Sequence, residues 1–333
     1  MTNSDLSGMN ETTASNYDLI VIGAGISGLT AGKMAQKAGL SVLVLDKGRR
    51  IGGRCATRRS DGFTFNHGAQ FFTARDPDFQ AVIDDARQKG NVDLWQFGHD
   101  KPCYIGTPTM RDFASYLGDG LVIEQSVEIT NITKSDRLYK LTSQAGDDYH
   151  CHKLLITAPA PQAEKLVQPL SQILAHTAAS ASYAPCWTVM AGYQTVATIP
   201  EQVVRDKAPI GWAMFEQSRF AGKDDNDQPL NTIAALTCQA DATTSIQMLE
   251  WSKDDVIEAL LSAYKAATGW DETPTYQTAH RWLYAKIMTP ASQDAPYHDD
   301  DGHLVLAGDW FGSARLETAY LSGRRAGAMV TNS

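Results

Sequence analysis

The chain has 333 residues, enough for about two domains with a sizeable core, and carries a formal charge of −9 with a pI near 5.3. That balance argues against nucleic acid and anionic membrane surfaces as partners, and no apolar run is long enough for a conventional membrane span. Five cysteines (Cys55, Cys103, Cys151, Cys186, Cys238) lie far apart with no C-x-x-C, so neither a disulfide framework nor a metal site is indicated, and a cytoplasmic location is expected.

Residues 1–16 are polar, with no basic n-region and no apolar h-region, and read as a disordered tail rather than a signal peptide. Residues 17–54 then organise the chain. The apolar run Leu19-Ile20-Val21-Ile22 leads into Gly23-Ala24-Gly25-Ile26-Ser27-Gly28, a helical pattern follows up to Gly39, and a second buried strand, 42–45, ends in Asp46. This is the βαβ dinucleotide fingerprint. Gly23 permits the tight turn, Gly25 lets backbone approach a pyrophosphate, and Gly28 lets helix and strand pack closely. The helix N-terminus offers unpaired N–H groups to phosphate, and Asp46 stands where an acid takes the adenosine ribose hydroxyls. The continuation Asp46-Lys47-Gly48-Arg49-Arg50-Ile51-Gly52-Gly53-Arg54 resembles the second flavin motif of the amine-oxidase-like FAD family, which implies FAD as cofactor, with Lys47, Arg49, Gly53 and Arg54 at its site.

Residues 58–65 read as a hairpin turning at Asp61-Gly62. It delivers His67-Gly68-Ala69-Gln70-Phe71-Phe72, where Gly-Ala lets backbone approach a flat ring, and where the two phenylalanines suit either core or a flavin wall. Asp76-Pro77-Asp78 starts a helix whose apolar face is Phe79, Val82, Ile83 and Ala86; this helix is expected to leave the flavin domain, and the aromatic-rich 94–104 is expected in a second domain. A capped helix at 109–117 precedes a β-meander at 121–124, 127–133, 138–142 and 152–157. Pro159 and Pro161 open a helix bearing Leu166, Val167 and Leu170. Strand-like stretches at 187–194, 210–216, 233–239 and 276–288 predict an antiparallel sheet, and a helix runs from Ser252 to Gly269. The acidic runs 221–229 and 299–302 lack the ligand spacing of a calcium loop and read as solvated turns. The strand 304–307 carries Gly308-Asp309 at its carboxyl end, and Glu317-Thr318-Ala319-Tyr320-Leu321 opens a closing helix.

The stretches 46–54, 67–76 and 158–163, with Ala279-His280-Arg281-Trp282-Leu283-Tyr284-Ala285 and Gly308-Asp309-Trp310…Tyr320-Leu321-Ser322-Gly323, resemble bacterial renalase over residues 17–328. Lys286-Ile287-Met288 is bulkier than that family's pattern. The resemblance implies an amine-oxidase-like flavoprotein that oxidises 2- or 6-dihydro isomers of NAD(P), with dioxygen as acceptor and hydrogen peroxide as product. It implies cofactor contacts from Val127, Gly308, Asp309, Glu317, Ala319, Tyr320 and Leu321, the helix N-terminus facing the flavin edge that becomes anionic on reduction. Absence of a second GxGxxG speaks against a separate NADPH-docking domain, and absence of cysteine after Cys238 against a covalent link near the C-terminal motif, so the FAD is expected to be dissociable.

In a regular strand His280, Trp282, Tyr284 and Lys286 share one face and Arg281 the other. Trp282 and Tyr284 are favoured as pocket. His280 reads most simply as a hydrogen-bonded core histidine, with a catalytic role as the alternative, and Trp310 suits pocket or packing equally. The expected fold is α/β: a Rossmann-type FAD domain from 17–75, 106–163 and 296–333, and a substrate domain of antiparallel sheet plus helices from 76–105 and 164–295. Two rivals stand beside the dihydro-NAD(P) oxidase: an amine oxidase, and a flavin- or nucleotide-binding sensor without turnover.

Overall fold

The computed structural model describes residues 16–95, 101–194, 199–200, 203–219, 233–292 and 297–332. The tail at 1–15 and the acidic run at 221–229 lie outside the described residues. β1 (Asn16–Ile22), α1 (Ile26–Lys37) and β2 (Val42–Asp46) form the expected βαβ unit. Leu19, Val21, Leu43 and Val44 are fully buried, as strands covered by helices on both faces must be. β3 (Thr57–Ser60) and β4 (Phe63–Asn66) make the expected hairpin, its turn residues Asp61 and Gly62 both left-handed at φ 50° and 81°. α2 (Pro77–Gln88) is capped by Asp76, whose Oδ1 accepts from the N–H groups of Asp78 and Phe79.

β5 (Val92–Trp95) pairs with β6 (Cys103–Gly106), and α3 (Met110–Leu117) starts at a Thr109–Asp112 capping box. The meander follows as β7 (Val122–Gln125), β8 (Ile129–Ser135), β9 (Leu138–Ser143) and β10 (Asp148–Ile156). The helix after Pro159 stops earlier than its apolar pattern suggests. α4 (Ala160–Val167) ends, the chain turns, and a helix that sequence reasoning missed, α5 (Gln172–Ala179), restarts at Ser171, whose hydroxyl accepts from Leu174 N. The second sheet comprises β11 (Ser182–Gln194), β12 (Val204–Lys207), β13 (Ile210–Phe215), β14 (Ile233–Ala240) and, after α6 (Ala242–Gln247) and α7 (Lys253–Thr268), β15 (Tyr276–Thr289). β16 (Leu304–Leu306) and α8 (Leu316–Asn332) return to the first sheet.

Among the described residues the first sheet runs β7-β2-β1-β10-β9-β8, with β16 also on β10, and the second runs β12-β13-β14-β11-β15. β10 serves both halves of the first: its early residues pair antiparallel with β9, its late ones parallel with β1 and β16. Sequence reasoning places 76–105 in the substrate domain. In the structure Phe79, Ile83 and Ala86 are buried in the same cluster as Leu29 and Ala31 of α1, because Phe79 packs on Phe113 of α3 and Tyr320 of α8. No described helix is long and apolar enough to cross a membrane.

The second sheet is joined to the β3–β4 hairpin through a buried polar network at the end of β4. Glu216 accepts from Asn66 N (2.9 Å), Asn66 Nδ2 (2.8 Å), Thr237 Oγ1 (2.7 Å) and Arg219 Nε (2.8 Å). Arg219 donates onward to the backbone and side-chain oxygens of Gln70, and its guanidinium lies over the ring of Trp95. Glu216 and Arg219 have side chains 9% and 1% exposed, so each depends on the other for its charge. Arg219→Met, which strands the Glu216 carboxylate, is expected to lower unfolding free energy by about 3–5 kcal/mol. Urea denaturation of the holoprotein reads this, and a loss below about 1 kcal/mol would show that the pair does not hold the junction.

Candidate functional site

The carboxyl ends of β1, β2, β10 and β16 open into one cavity of about 2070 Å³, the place where open parallel sheets bind ligands. A single drug-sized ligand occupies a pocket of roughly 300–1,000 Å³, so this space accommodates a dinucleotide and a second molecule. On the sheet side, Gly25 borders it with nothing within 4 Å of where a Cβ would stand, while Gly23 turns at φ 108°. Gly28 does not reach the cavity; a Cβ there would lie 2.0 Å from the carbonyl oxygen of Gly23, so its role is packing. The first turn of α1, with Ile26 and Ser27, has no side-chain cap and leaves its N–H groups at the cavity.

Asp46 accepts from Ala24 N and Gly48 N, each at 2.6 Å, and burial pushes its pKa up against those donors. A carboxylate has about four acceptor sites, so two remain for ribose hydroxyls. Val127 is fixed beside it by a hydrogen bond from its N–H to the Asp46 carbonyl, and Lys47 pairs with Glu128 at 3.7 Å. Arg49 also lines this end. Gly53 sits against Gly25, a Cβ there standing 3.5 Å from the Gly25 Cα. Arg54 donates to Asp309 at 2.6 Å, which ties the second flavin motif to the third. Gly308 donates its N–H to Ser322 Oγ, and a Cβ there would clash with the Trp310 indole. The start of α8 meets the start of α1: Ser27 Oγ donates to Ala319 O at 2.5 Å, and a Cβ on Gly323 would lie 2.3 Å from Ser27 O. Two helix N-termini, with their positive dipole ends, therefore border the same cavity.

The facing wall comes from β15 and from the strap after β4. Trp282 Nε1 donates to the carbonyl of His67 at 2.9 Å, and the two rings stack at 5.3 Å. His280 stands edge-on to Trp282 at 4.4 Å and to His67 at 5.3 Å. Burial holds His67 down at about 3, helped by His280 and Arg58, and His280 at about 4, helped by Arg58 and Lys253. Both imidazoles are therefore neutral at pH 7. Gly68 and Ala69 line the cavity beside them, Gly68 so close to the chain that a Cβ would lie 2.0 Å from Arg54 O, and Gln239 of β14 holds the Gly68 carbonyl at 2.8 Å.

The expected alternation along β15 holds for His280 and Trp282 and then fails. The ladder steps from Trp282–Cys186 to Lys286–Ala184, so residues 283–285 stand against Pro185 alone. At this bulge Tyr284, which lines the cavity as Trp282 does, stands edge-on to Tyr183 at 5.6 Å, and the carbonyls of Tyr284 and Ala285 turn toward Arg54 Nη1 at 3.5 and 3.4 Å. Lys286 is exposed. Arg281 packs on the other face, donating to Leu249 O, pairing with Glu250 at 3.7 Å and lying over Trp187.

Several expected site residues stand elsewhere. Trp310 is fully buried: Gly308 turns at φ 157°, the ring folds back against it, stacks on Phe311 and donates to Ala158 O at 3.3 Å. Gln70 is taken up by Arg219, and Phe71 packs on Trp95 and Trp212. Glu317 accepts from Arg75 N and Asp76 N, so its carboxylate anchors the start of α2. Tyr320 packs on Phe79, and Leu321, in the second turn of α8, lies outside the lining. Sequence reasoning missed Gln239, which only tertiary pairing brings here, and Arg58, Arg59 and Arg111, for which the doublet after the second flavin motif was an available signal.

The pattern of the NAD(P)-binding Rossmann-like domain matches residues 21–86, and that of flavin containing amine oxidoreductase matches residues 93–331. An amine oxidase [flavin-containing] of Danio rerio is 53% identical over 45 residues, 14% of this chain and 9% of that protein. An inactive all-trans-retinol 13,14-reductase of Danio rerio is 34% identical over 106 residues, 31% of this chain and 18% of that protein. The chain thus spans less than a fifth of the length of these curated relatives. Among solved structures, cyclohexylamine oxidase from Brevibacterium oxydans IH-35A superposes with a TM-score of 0.69 at 15% identity, covering 96% of this chain and 99% of that one. A wild-type putrescine oxidase bound to putrescine gives 0.63 at 14% identity, covering 94% and 98%. At such identities the likeness is one of fold.

The cofactor is FAD, and the residues present fit it: an open glycine turn and uncapped helix for the pyrophosphate, Asp46 with free acceptor sites for the ribose, and a second helix N-terminus at the far end. Asp46→Ala is expected to weaken FAD binding ten- to hundredfold, the value of a charged hydrogen bond of about 1.5–3 kcal/mol. Fluorescence titration of the apoprotein measures it, and an unchanged dissociation constant would reduce Asp46 to a turn residue. Acid denaturation is expected to release intact FAD; flavin left on the polypeptide would contradict a dissociable cofactor.

Proposed function

The chain belongs to the flavin containing amine oxidoreductase family, and from that premise we propose that it oxidises mis-reduced dihydronicotinamide dinucleotides, the 2- or 6-dihydro isomers of NAD(P), with dioxygen as acceptor. The observation that carries this reading is the wall of Trp282, His280 and His67: aromatic, largely buried and uncharged, with both imidazoles held far below neutral pH. When bound, FAD supplies the hydride acceptor. A dihydronicotinamide that gives up one hydride becomes an aromatic pyridinium, and no proton leaves its carbon skeleton; dioxygen takes the two electrons and two protons as hydrogen peroxide. The protein's task is then placement of the ring within attack distance. Trp282, pinned by its indole N–H to the His67 carbonyl, presents a fixed aromatic surface for that ring. The first turn of α8 stabilises negative charge at the cavity without any proton transfer.

The amine-oxidase reading shares the fold and the cofactor. It needs its substrate unprotonated, because aliphatic amines are mostly cationic at neutral pH, and a cavity lined by more basic than acidic side chains disfavours a cation. Anaerobic stopped-flow measurement of flavin reduction decides between the two. A dihydronicotinamide isomer is expected to bleach the flavin, at a limiting rate that changes by less than about twofold between pH 6 and 9, since no histidine of the wall, with a reference pKa of about 6.5 lowered here to about 3 and 4, titrates in that window. Trp282→Ala is expected to slow reduction by roughly a hundredfold, the cost of lost alignment, with FAD content unchanged. Bleaching by simple amines and by no dihydronicotinamide would move the protein to the amine-oxidase reading, and no bleaching by either class would favour a sensor.

A further inference from the structure

One row of the second sheet faces the cavity. The ladders set Trp212 of β13 beside Gln239 of β14, Gln239 beside Thr188 of β11, and Thr188 beside His280 of β15. Residues paired across neighbouring strands present their side chains on one face, and Trp212, Gln239 and His280 all line the cavity. Gln239 and His280 therefore stand on the same face two strands apart, with only the small, fully buried Thr188 side chain between them.

What Gln239 offers there follows from its bonds. Its Nε2 donates to the Gly68 carbonyl at 2.8 Å and to the His67 carbonyl at 3.4 Å, and the same His67 oxygen accepts the Trp282 indole N–H. Both amide hydrogens are thus spent on the strap. The reverse orientation would set an amide oxygen against two carbonyl oxygens, so the direction of the group is fixed. Its Oε1 accepts no hydrogen bond from any described residue and is not buried. An anchored, uncharged acceptor therefore borders the cavity, held at the strap oxygen that also positions the Trp282 ring.

We infer that Gln239 Oε1 accepts an N–H of a primary carboxamide on the ring that lies against Trp282, which makes Gln239 a specificity-determining residue. The assignment deepens the dihydronicotinamide reading, on which it rests for the identity of the ring. A ring carboxylate would set two acceptors face to face, and a ketone would leave Oε1 without a donor, so both are disfavoured relative to the amide.

The test changes ligand and protein together. FAD-loaded protein is titrated calorimetrically with NAD+ and with its acetylpyridine analogue, in which a methyl group replaces the amide nitrogen and the carbonyl is kept. The wild type is expected to bind NAD+ about three- to tenfold more tightly, the worth of a neutral hydrogen bond. Gln239→Met is expected to bind the two equally, with FAD content unchanged, whereas a merely structural role at the strap would weaken both and preserve their ratio. Gln239→Asn, whose amide is a methylene shorter, is the second variant and is expected to lose the same preference. Equal affinities in the wild type, a preference that survives both substitutions, or no binding of either dinucleotide would overturn the assignment. Because no turnover is read, a preference lost with Gln239 but no flavin reduction by any dihydronicotinamide would leave the assignment standing and remove only the proposed substrate.

Discussion

A buried ion pair, Glu216 with Arg219, sets the geometry on which the rest of this molecule depends. Its donors and acceptors close around Asn66 and Gln70, the two ends of the strap that carries His67, Gly68 and Ala69 between the sheets. The pair comes from the second sheet's side and the strap from the hairpin of the first unit, so one network fixes how the two halves of the cavity face each other. Every further contact of the strap builds on that placement. Trp282 reads the His67 carbonyl, and Gln239 reads the Gly68 carbonyl. A charged pair in a dry junction contributes little net stability, but it tolerates few alternative geometries, which is what a wall facing a cofactor requires.

The cavity combines three electrostatic regimes. Two helix starts, that of α1 without a side-chain cap, and the glycine turn offer oriented N–H groups at the sheet side. The wall opposite is aromatic and neutral, since burial strips charge from both histidines. Arg58 and Arg59 of β3 add basic side chains to the same lining. This division suits a ligand with an uncharged, flat reacting ring and an anionic tail better than a small cation. The neutral imidazoles of the wall fit the proposed hydride transfer, which needs no proton from the ring.

Much of the fold was legible because it rests on local rules. The glycine turn, the Asp61-Gly62 hairpin, the Asp76-Pro77 helix start and the left-handed Gly269 after α7 each answer to backbone sterics or capping within a few residues. The backbone turns that border the cavity at the sheet side were legible for the same reason, as they follow strands and open helices. What escaped was tertiary. Nothing local to Glu216, Arg219 or Gln239 announces a partner far along the chain. The bulge at 283–285 depends on how β11 passes Pro185, and it breaks the regular alternation that the sequence alone assigns to β15. Trp310 and Glu317 follow the flavin motifs in sequence, yet their side chains point into packing, because motif membership specifies backbone position and leaves side-chain direction to the surrounding core. α5 and α6 were missed as helices of eight and six residues, too short for their periodicity to stand out.

The central claim, that the Trp282–His280–His67 wall receives a nicotinamide ring opposite the flavin, is tested most directly by a crystal structure of the FAD-loaded protein with the oxidised dinucleotide product bound. The account predicts a pyridinium ring lying between the flavin and the Trp282 indole, in contact with His280. A dinucleotide bound elsewhere, or a ring held away from this wall with Trp282 still pinned to His67, would contradict it.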